Sequence, residues 1–183
     1  MPRIAPIDTA RADAGVQATL SAVKTKIGMV PNLFSTFAQS PAVLNGYLAL
    51  SDALGKGVLT AKQREIISLA VAQANECHYC LSAHTLMGKG AGLSPEGVRK
   101  AREGKAESAL DNAVASFARR VVDTRGRVSD ADLAAARSAG LGDAQIIEVI
   151  GNVAINALTN YTNNVALTDI DFPKVDVELR PAA

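Results

Sequence analysis

Both cysteines and both histidines of this 183-residue chain fall within eight positions, in Cys77-His78-Tyr79-Cys80-x3-His84. Cysteines at i and i+3 of a helical turn share a face, with Cβ atoms about 5–6 Å apart. That is a little wide of a relaxed disulfide and near enough for reversible closure. Where such a turn opens a helix, the free N–H groups and the positive dipole end favour thiolate over thiol. His84 follows Cys80 by four residues and shares its face, where it can take the thiol proton or pair with the thiolate. Glu65 lies twelve residues ahead of Cys77 in an otherwise apolar stretch. A buried lone charge is costly, so it needs a partner. If the chain reverses near Asn75 to Cys77, Glu65 sits about 16 Å down one arm and His84 about 12 Å down the other. The mismatch of about 4 Å is within reach of a carboxylate side chain or one water. A carboxylate that holds an imidazole, which activates a thiol, is the logic of a catalytic triad.

The same residues admit plainer roles. The cysteine pair fits a structural disulfide. It also fits a zinc site with His84 and either His78 or Glu65, although a structural zinc site usually draws a second ligand pair from elsewhere and the chain has no further Cys or His. His78 reads as a solvated first-turn residue, Tyr79 as packing or a proton donor, and Glu65 as a surface charge. Tyr161 and Asn160 are candidates to line a pocket.

The elements that must hold these groups are helices. Residues 1–10 read as an extended arm, and Val16, Leu20, Val23 and Ile27 space a helix from about Thr9 to Lys26, broken by Gly28 and Pro31. Pro31-Asn32 opens a short helix. Ser40-Pro41 caps and starts another that ends at Gly55-Lys56-Gly57. Thr60 to Gln63 fits a capping box. The run that follows is apolar on more than one side, the pattern of a buried helix. A new helix begins around Cys77 and runs to about Gly88. Ser94-Pro95 opens a short one, and others span about 107–124, 129–139 and 143–167. The tail from Asp169, with Pro173 and Pro181, is extended. No strand alternation is present. Glu65-Ile-Ile-x-x-Ala-Val-Ala overlays Glu148-Val-Ile-x-x-Val-Ala-Ile, which sets Asn160 on Cys77 and Asn163 on Cys80. This reads either as a duplicated helical hairpin that lost its thiols or as the chance likeness of apolar helices.

Composition narrows the class. A 48% hydrophobic and 20% charged chain with net charge +1 is that of an ordinary globular domain. It excludes a disordered chain and argues against a strongly basic nucleic-acid binder. No run reaches the roughly 18 apolar residues of a membrane span. The N-terminal segment has no apolar core of a secretory signal, so a cytoplasmic location is expected. Aromatics at 4% and no Trp favour packed helices over sheets. The expectation is one all-α domain over 1–183, with its core at about 28–173. Two adjacent cysteines suit redox chemistry or a metal better than a secreted disulfide scaffold.

Glu65-x11-Cys77-x-x-Cys80-x3-His84 resembles the signature of the alkyl hydroperoxidase D / carboxymuconolactone decarboxylase superfamily. Val30-Pro-Asn-Leu-Phe34, Ser40-Pro41, Leu59 to Glu65, Gly88 and Asp171-Phe-Pro173 are similar to its peroxidase-related subgroup. The resemblance spans about residues 28 to 173. It implies an all-α, alkyl hydroperoxidase D-like fold with the Cys-x-x-Cys at a helix N-terminus, and a trimer or hexamer. It implies Cys80 as the peroxide-attacking thiol, Cys77 as the resolving thiol, His84 as the base on Cys80 and Glu65 as the completion of a proton relay. The best-known members carry a His immediately before the second cysteine. That position is Tyr79 here, with the His moved to 78. The implied function is an antioxidant, thiol-dependent hydroperoxide reductase. Its expected partners are a hydroperoxide and an external dithiol, thioredoxin-like or lipoyl, and it requires no metal, haem or flavin. The alternatives are a lyase or isomerase of the decarboxylase branch using Glu65 and His84, and a zinc-binding or redox-sensing protein without turnover.

Overall fold

In a computed structural model, which describes residues 1–179, the chain folds into nine α-helices. They are α1 (Ala14–Ile27), α2 (Asn32–Phe37), α3 (Pro41–Gly55), α4 (Ala61–Ala74), α5 (His78–Gly90), α6 (Pro95–Arg102), α7 (Ala109–Thr124), α8 (Asp130–Ser138) and α9 (Asp143–Ala166). No strand occurs among the described residues, and none of their helices is long and apolar enough to cross a membrane. The extended tail is present from Asp169, while Pro181 lies outside the described residues.

Most helix starts are written locally. Ser40, Thr60, Ser94, Ser108 and Ser129 each accept a hydrogen bond from the N–H three residues on. The expected start of the first helix near Thr9 is corrected. Thr9–Arg11 is a single 3₁₀ turn, Ala12 is extended, and Asp13 takes the Val16 N–H at 2.9 Å, so the helix begins at Ala14. Gly28, at φ 88°, then ends α1.

α4 explains why its sequence is apolar all round. Ile66, Leu69 and Ala72 pack into one hydrophobic cluster with α1, α2, α3, α5 and α6, while Ile67 and Val71 pack into a second with α7, α8 and α9. Its neighbours α5, α6, α7 and α9 enclose it. Each fully buried Ile or Leu there contributes roughly 1.5–3 kcal/mol relative to exposure. α1 adds Val16, Leu20 and Val23 to the first cluster, upstream of the boundary expected near residue 28.

Long-range polar ties fix the rest. Both carboxylate oxygens of Glu148 on α9 accept the N–H groups of Val58 and Leu59 in the α3–α4 loop. That carboxylate lies where a Cβ at Gly57 would be, so a larger residue there would push the Glu148 side chain off its two N–H partners. In the tail, Asp171 accepts the Asn32 N–H at 2.7 Å, capping α2, whose own Pro31 gives no side-chain cap. The duplicated hairpin is not found. α9 runs unbroken from 143 to 166 where α4 and α5 are interrupted. It leaves Ile147, Ile150, Leu158, Tyr161 and Val165 exposed along one side.

Candidate active site

The break between α4 and α5 is a helix ending that doubles as a helix beginning. The Cys77 N–H reaches back to the Ala72 carbonyl at 2.9 Å, and the Glu76 N–H to Gln73 at 3.2 Å. These are the two bonds of a Schellman ending. Glu76 occupies its left-handed position at φ 51°, where glycine is usual. Cys77 therefore leaves the turn extended and becomes the N-cap of α5, its Sγ accepting the Cys80 N–H at 3.3 Å. Both thiols are enclosed, Cys77 at 0% and Cys80 at 2% exposure.

The reversal brings Glu65 and His84 together. His84 Nδ1 lies 2.9 Å from Glu65 Oε2, so the link is direct and needs no bridging water. With Nδ1 engaged, Nε2 is the nitrogen free to exchange a proton. Burial works against an imidazolium, but the Glu65 carboxylate and the negative charge of Cys80 hold His84 above its ordinary range. Burial likewise opposes a thiolate at Cys80. The Cys77 thiol, the His84 charge and the amides of Asn163 and Asn160 outweigh it and bring Cys80 down to about 6. Cys77 moves the opposite way: its hydrogen bond to Cys80 and its burial keep it protonated. One sulfur is thus prepared as a nucleophile and the other as a thiol donating to it.

Two chambers meet at His84. The larger, about 520 Å³, is mostly apolar, with Val23, Ile27, Leu33, Phe34, Leu48 and Phe172 in its wall, and it reaches Cys80 and His84. The smaller, about 110 Å³, is polar. Ser51, Arg64, Ser68, Asn152 and Asn156 line it, together with Glu65 and His84. Tyr47 borders both chambers. Burial and the negative charges of Cys80 and Glu65 push its phenol up to about 12, so it stays a hydrogen-bond donor.

The other candidates separate. His78 is exposed on the first turn of α5. Tyr79 is buried, with its ring edge-on to Phe172 and its hydroxyl accepting the Leu33 N–H at 3.2 Å. Burial pushes its phenol up. Its bonds tie α2 and the tail to α5, and its side chain also lines the larger chamber with Cys80. Among the described residues no group of three or more His, Cys, Asp or Glu is placed to hold a metal. Tyr161 is 58% exposed and lines none of these chambers, whereas Asn160 is buried beside the thiols. Sequence reasoning assigned no role to Tyr47 or to Asn163, whose Nδ2 donates to Cys80 Sγ at 3.3 Å. The only signal for Asn163 was the overlay that set it on Cys80. Of its two explanations, the unbroken α9 leaves the chance likeness of apolar helices.

Comparison with known proteins gives a family likeness over part of the chain and a likeness of fold over most of it. Residues 41–124 match the model of the carboxymuconolactone decarboxylase family. A crystal structure described as an alkylhydroperoxidase AhpD core, an uncharacterised peroxidase-related protein of Ralstonia eutropha JMP134, superposes with a TM-score of 0.84 at 27% identity, covering 93% of this chain and 92% of that one. A peroxidase-related protein of Silicibacter sp. TM1040 superposes at 0.78 with 24% identity over 91% of each chain, a likeness of fold. An uncharacterised protein of Haemophilus influenzae is 51% identical over 47 residues. That match spans 25% of this chain and 42% of the relative.

Proposed function

We propose, from the match of residues 41–124 to the carboxymuconolactone decarboxylase family model and from the site geometry, that the chain is a thiol-dependent reductase of organic hydroperoxides. The carrying observation is a thiol held toward thiolate, Cys80, at the end of an apolar chamber beside a carboxylate-bound imidazole. Cys80 thiolate attacks the terminal oxygen of the hydroperoxide. The O–O bond breaks, the hydroxyl stays on sulfur as a sulfenic acid, and the alkoxide takes the His84 proton. Glu65 orients the imidazolium and balances its charge. Cys77 then attacks the Cys80 sulfur, and the hydroxyl leaves as water with the Cys77 proton. An external dithiol, thioredoxin-like or lipoyl, supplies two electrons to reopen the disulfide. The apolar wall favours a hydroperoxide with a hydrocarbon part over hydrogen peroxide. A reducing compartment such as the cytoplasm suits two free thiols.

The test is intact-mass analysis after one equivalent of cumene hydroperoxide. The expected result is loss of two hydrogens and a peptide carrying the Cys77–Cys80 bond, reversed by a dithiol. An unchanged mass, with both thiols still labelled, overturns the reading.

The proposal extends to assembly as a trimer or hexamer. The apolar side of α9, from Ile147 to Val165, is more than a monomer commonly leaves to water. Light scattering should return three or six times 19.0 kDa. A single-chain mass at micromolar concentration rejects this part.

A further inference from the structure

We infer that Asn163 and Asn160 of α9 form a neutral amide cradle for the anionic forms of Cys80, with Asn163 a catalytic residue that touches the reacting sulfur. The inference rests on the reductase reading for its role in turnover, but the cradle itself is a property of the thiol. Asn163 is 4% exposed and presents its amide nitrogen to Cys80 Sγ at 3.3 Å. The orientation matters. A protonated Cys80 would be served by the amide oxygen accepting S–H, whereas this arrangement offers N–H to a sulfur that accepts. It leaves Asn163 Oδ1 buried without a hydrogen-bond partner. An orphaned buried carbonyl is costly, so the site rewards the N–H more than it penalises the oxygen, as a charged acceptor does. Asn160 is fully buried one turn earlier. Its Oδ1 is held by Asn75 Nδ2 at 3.0 Å, which fixes the amide with its nitrogen away from Asn75. Asn75 itself belongs to the turn that delivers Cys77, so the cradle and the thiol pair are registered to each other.

The other titratable groups facing Cys80 are the Cys77 thiol, His84, Tyr47 and Tyr79, with Glu65 behind His84. His84 must release its proton during turnover and so cannot hold negative charge on sulfur throughout. Two amides on a 24-residue helix can. They keep their hydrogens at every pH and need no reorientation, the property that makes oxyanion-hole donors effective. They serve the thiolate before attack and the polarised sulfur–oxygen group after it.

The test is the pH profile of iodoacetamide labelling at Cys80 in the full chain, followed by mass spectrometry, for wild type, Asn163→Ala, Asn163→Leu and Asn163→Ser. Alanine and leucine remove the donor, and serine keeps one. With Ala or Leu, labelling at pH 6 should slow about fivefold, a displacement of about one pH unit in a profile whose wild-type midpoint lies near 6. The high-pH plateau should stay within about twofold of wild type. Serine should restore most of the wild-type profile, and hydroperoxide turnover should fall by roughly 10²-fold with Ala. The cradle is rejected if either donorless variant keeps its helical circular dichroism and labels with the wild-type profile, or if serine behaves as alanine does. A shifted profile in a protein that consumes no hydroperoxide would leave the cradle standing and remove the reductase reading. An unshifted profile with normal turnover would do the reverse.

Discussion

Cys80→Ser should abolish hydroperoxide consumption. Serine keeps the size, but its hydroxyl stays protonated at neutral pH, where Cys80 is held near 6 by Cys77, His84 and the two amides. Loss of the nucleophile is expected to exceed about 10³-fold in steady-state rate with a saturating dithiol. Cys77→Ser should behave differently. The attacking thiol remains, so one equivalent of hydroperoxide is reduced in a burst, and a sulfenic acid accumulates at Cys80 that a dimedone-type reagent traps. Turnover that persists in Cys80→Ser, yet depends on Glu65 and His84, would move the chain to acid–base chemistry of the decarboxylase kind.

His84→Ala should lower turnover by about 10²- to 10⁴-fold, the usual range for a positioned proton-transfer group. The sign with pH follows from the two shifts. Cys80 lies below its ordinary value, so its reactive form is lost as pH falls through about 6. His84 lies above its ordinary value, so the proton it gives the alkoxide is lost only as pH rises through that raised value. Between the two, thiolate and imidazolium coexist, and kcat/KM should be bell-shaped over that window. In His84→Ala the acid limb should move to higher pH, because the adjacent positive charge that favours the thiolate is gone. Glu65→Gln keeps the side-chain shape and removes the charge that holds His84 up. Its alkaline limb should move down, with a smaller loss at the optimum. A His84→Ala profile that superposes on wild type would show that the imidazole takes no part.

The relay was legible because it is local. Glu65, Cys77, Cys80 and His84 span twenty residues and one reversal, so helical spacing alone brings carboxylate and imidazole near contact. Even there the bridge is tighter than the arithmetic, since the Glu65 side chain closes the gap to 2.9 Å. Caps such as Ser40 and Thr60 were legible for the same reason: donor and acceptor are three residues apart. What escaped spans the chain. Asn163 meets Cys80 across 83 residues, and Asp171 meets Asn32 across 139. Nothing in local periodicity reports such a meeting. The length of α9 was legible, read at about 143–167 because no Gly or Pro interrupts its second half, but the partners of the asparagines at 160, 163 and 164 were not. The left-handed Glu76 carried no signal, because glycine is the residue that announces such a turn.

The sulfur of Cys77 closes the first turn of its helix and, in the proposed cycle, closes the disulfide as well. Sulfur is a weak acceptor, and oxygen caps in this position contribute about 0.5–2 kcal/mol, so the tie is modest but well placed. Forming the disulfide binds that sulfur to the very residue whose N–H it accepts, and it discharges the anion that Asn163 holds. Oxidation therefore exchanges two hydrogen bonds at the start of α5 for one covalent bond across its first turn, and the expected net effect is easier local opening of the amides there. Amide hydrogen exchange at Tyr79 to Leu81 should be faster in the oxidised protein than in the reduced one. If the two rates are equal, this coupling is absent. The reduced pair is shut away from bulk thiols at 0% and 2% exposure, while the oxidised pair must admit an attacking sulfur along the S–S axis. Order at this helix end follows the stored electrons: firm while the thiols are ready for a peroxide, loose while the disulfide waits for a reductant.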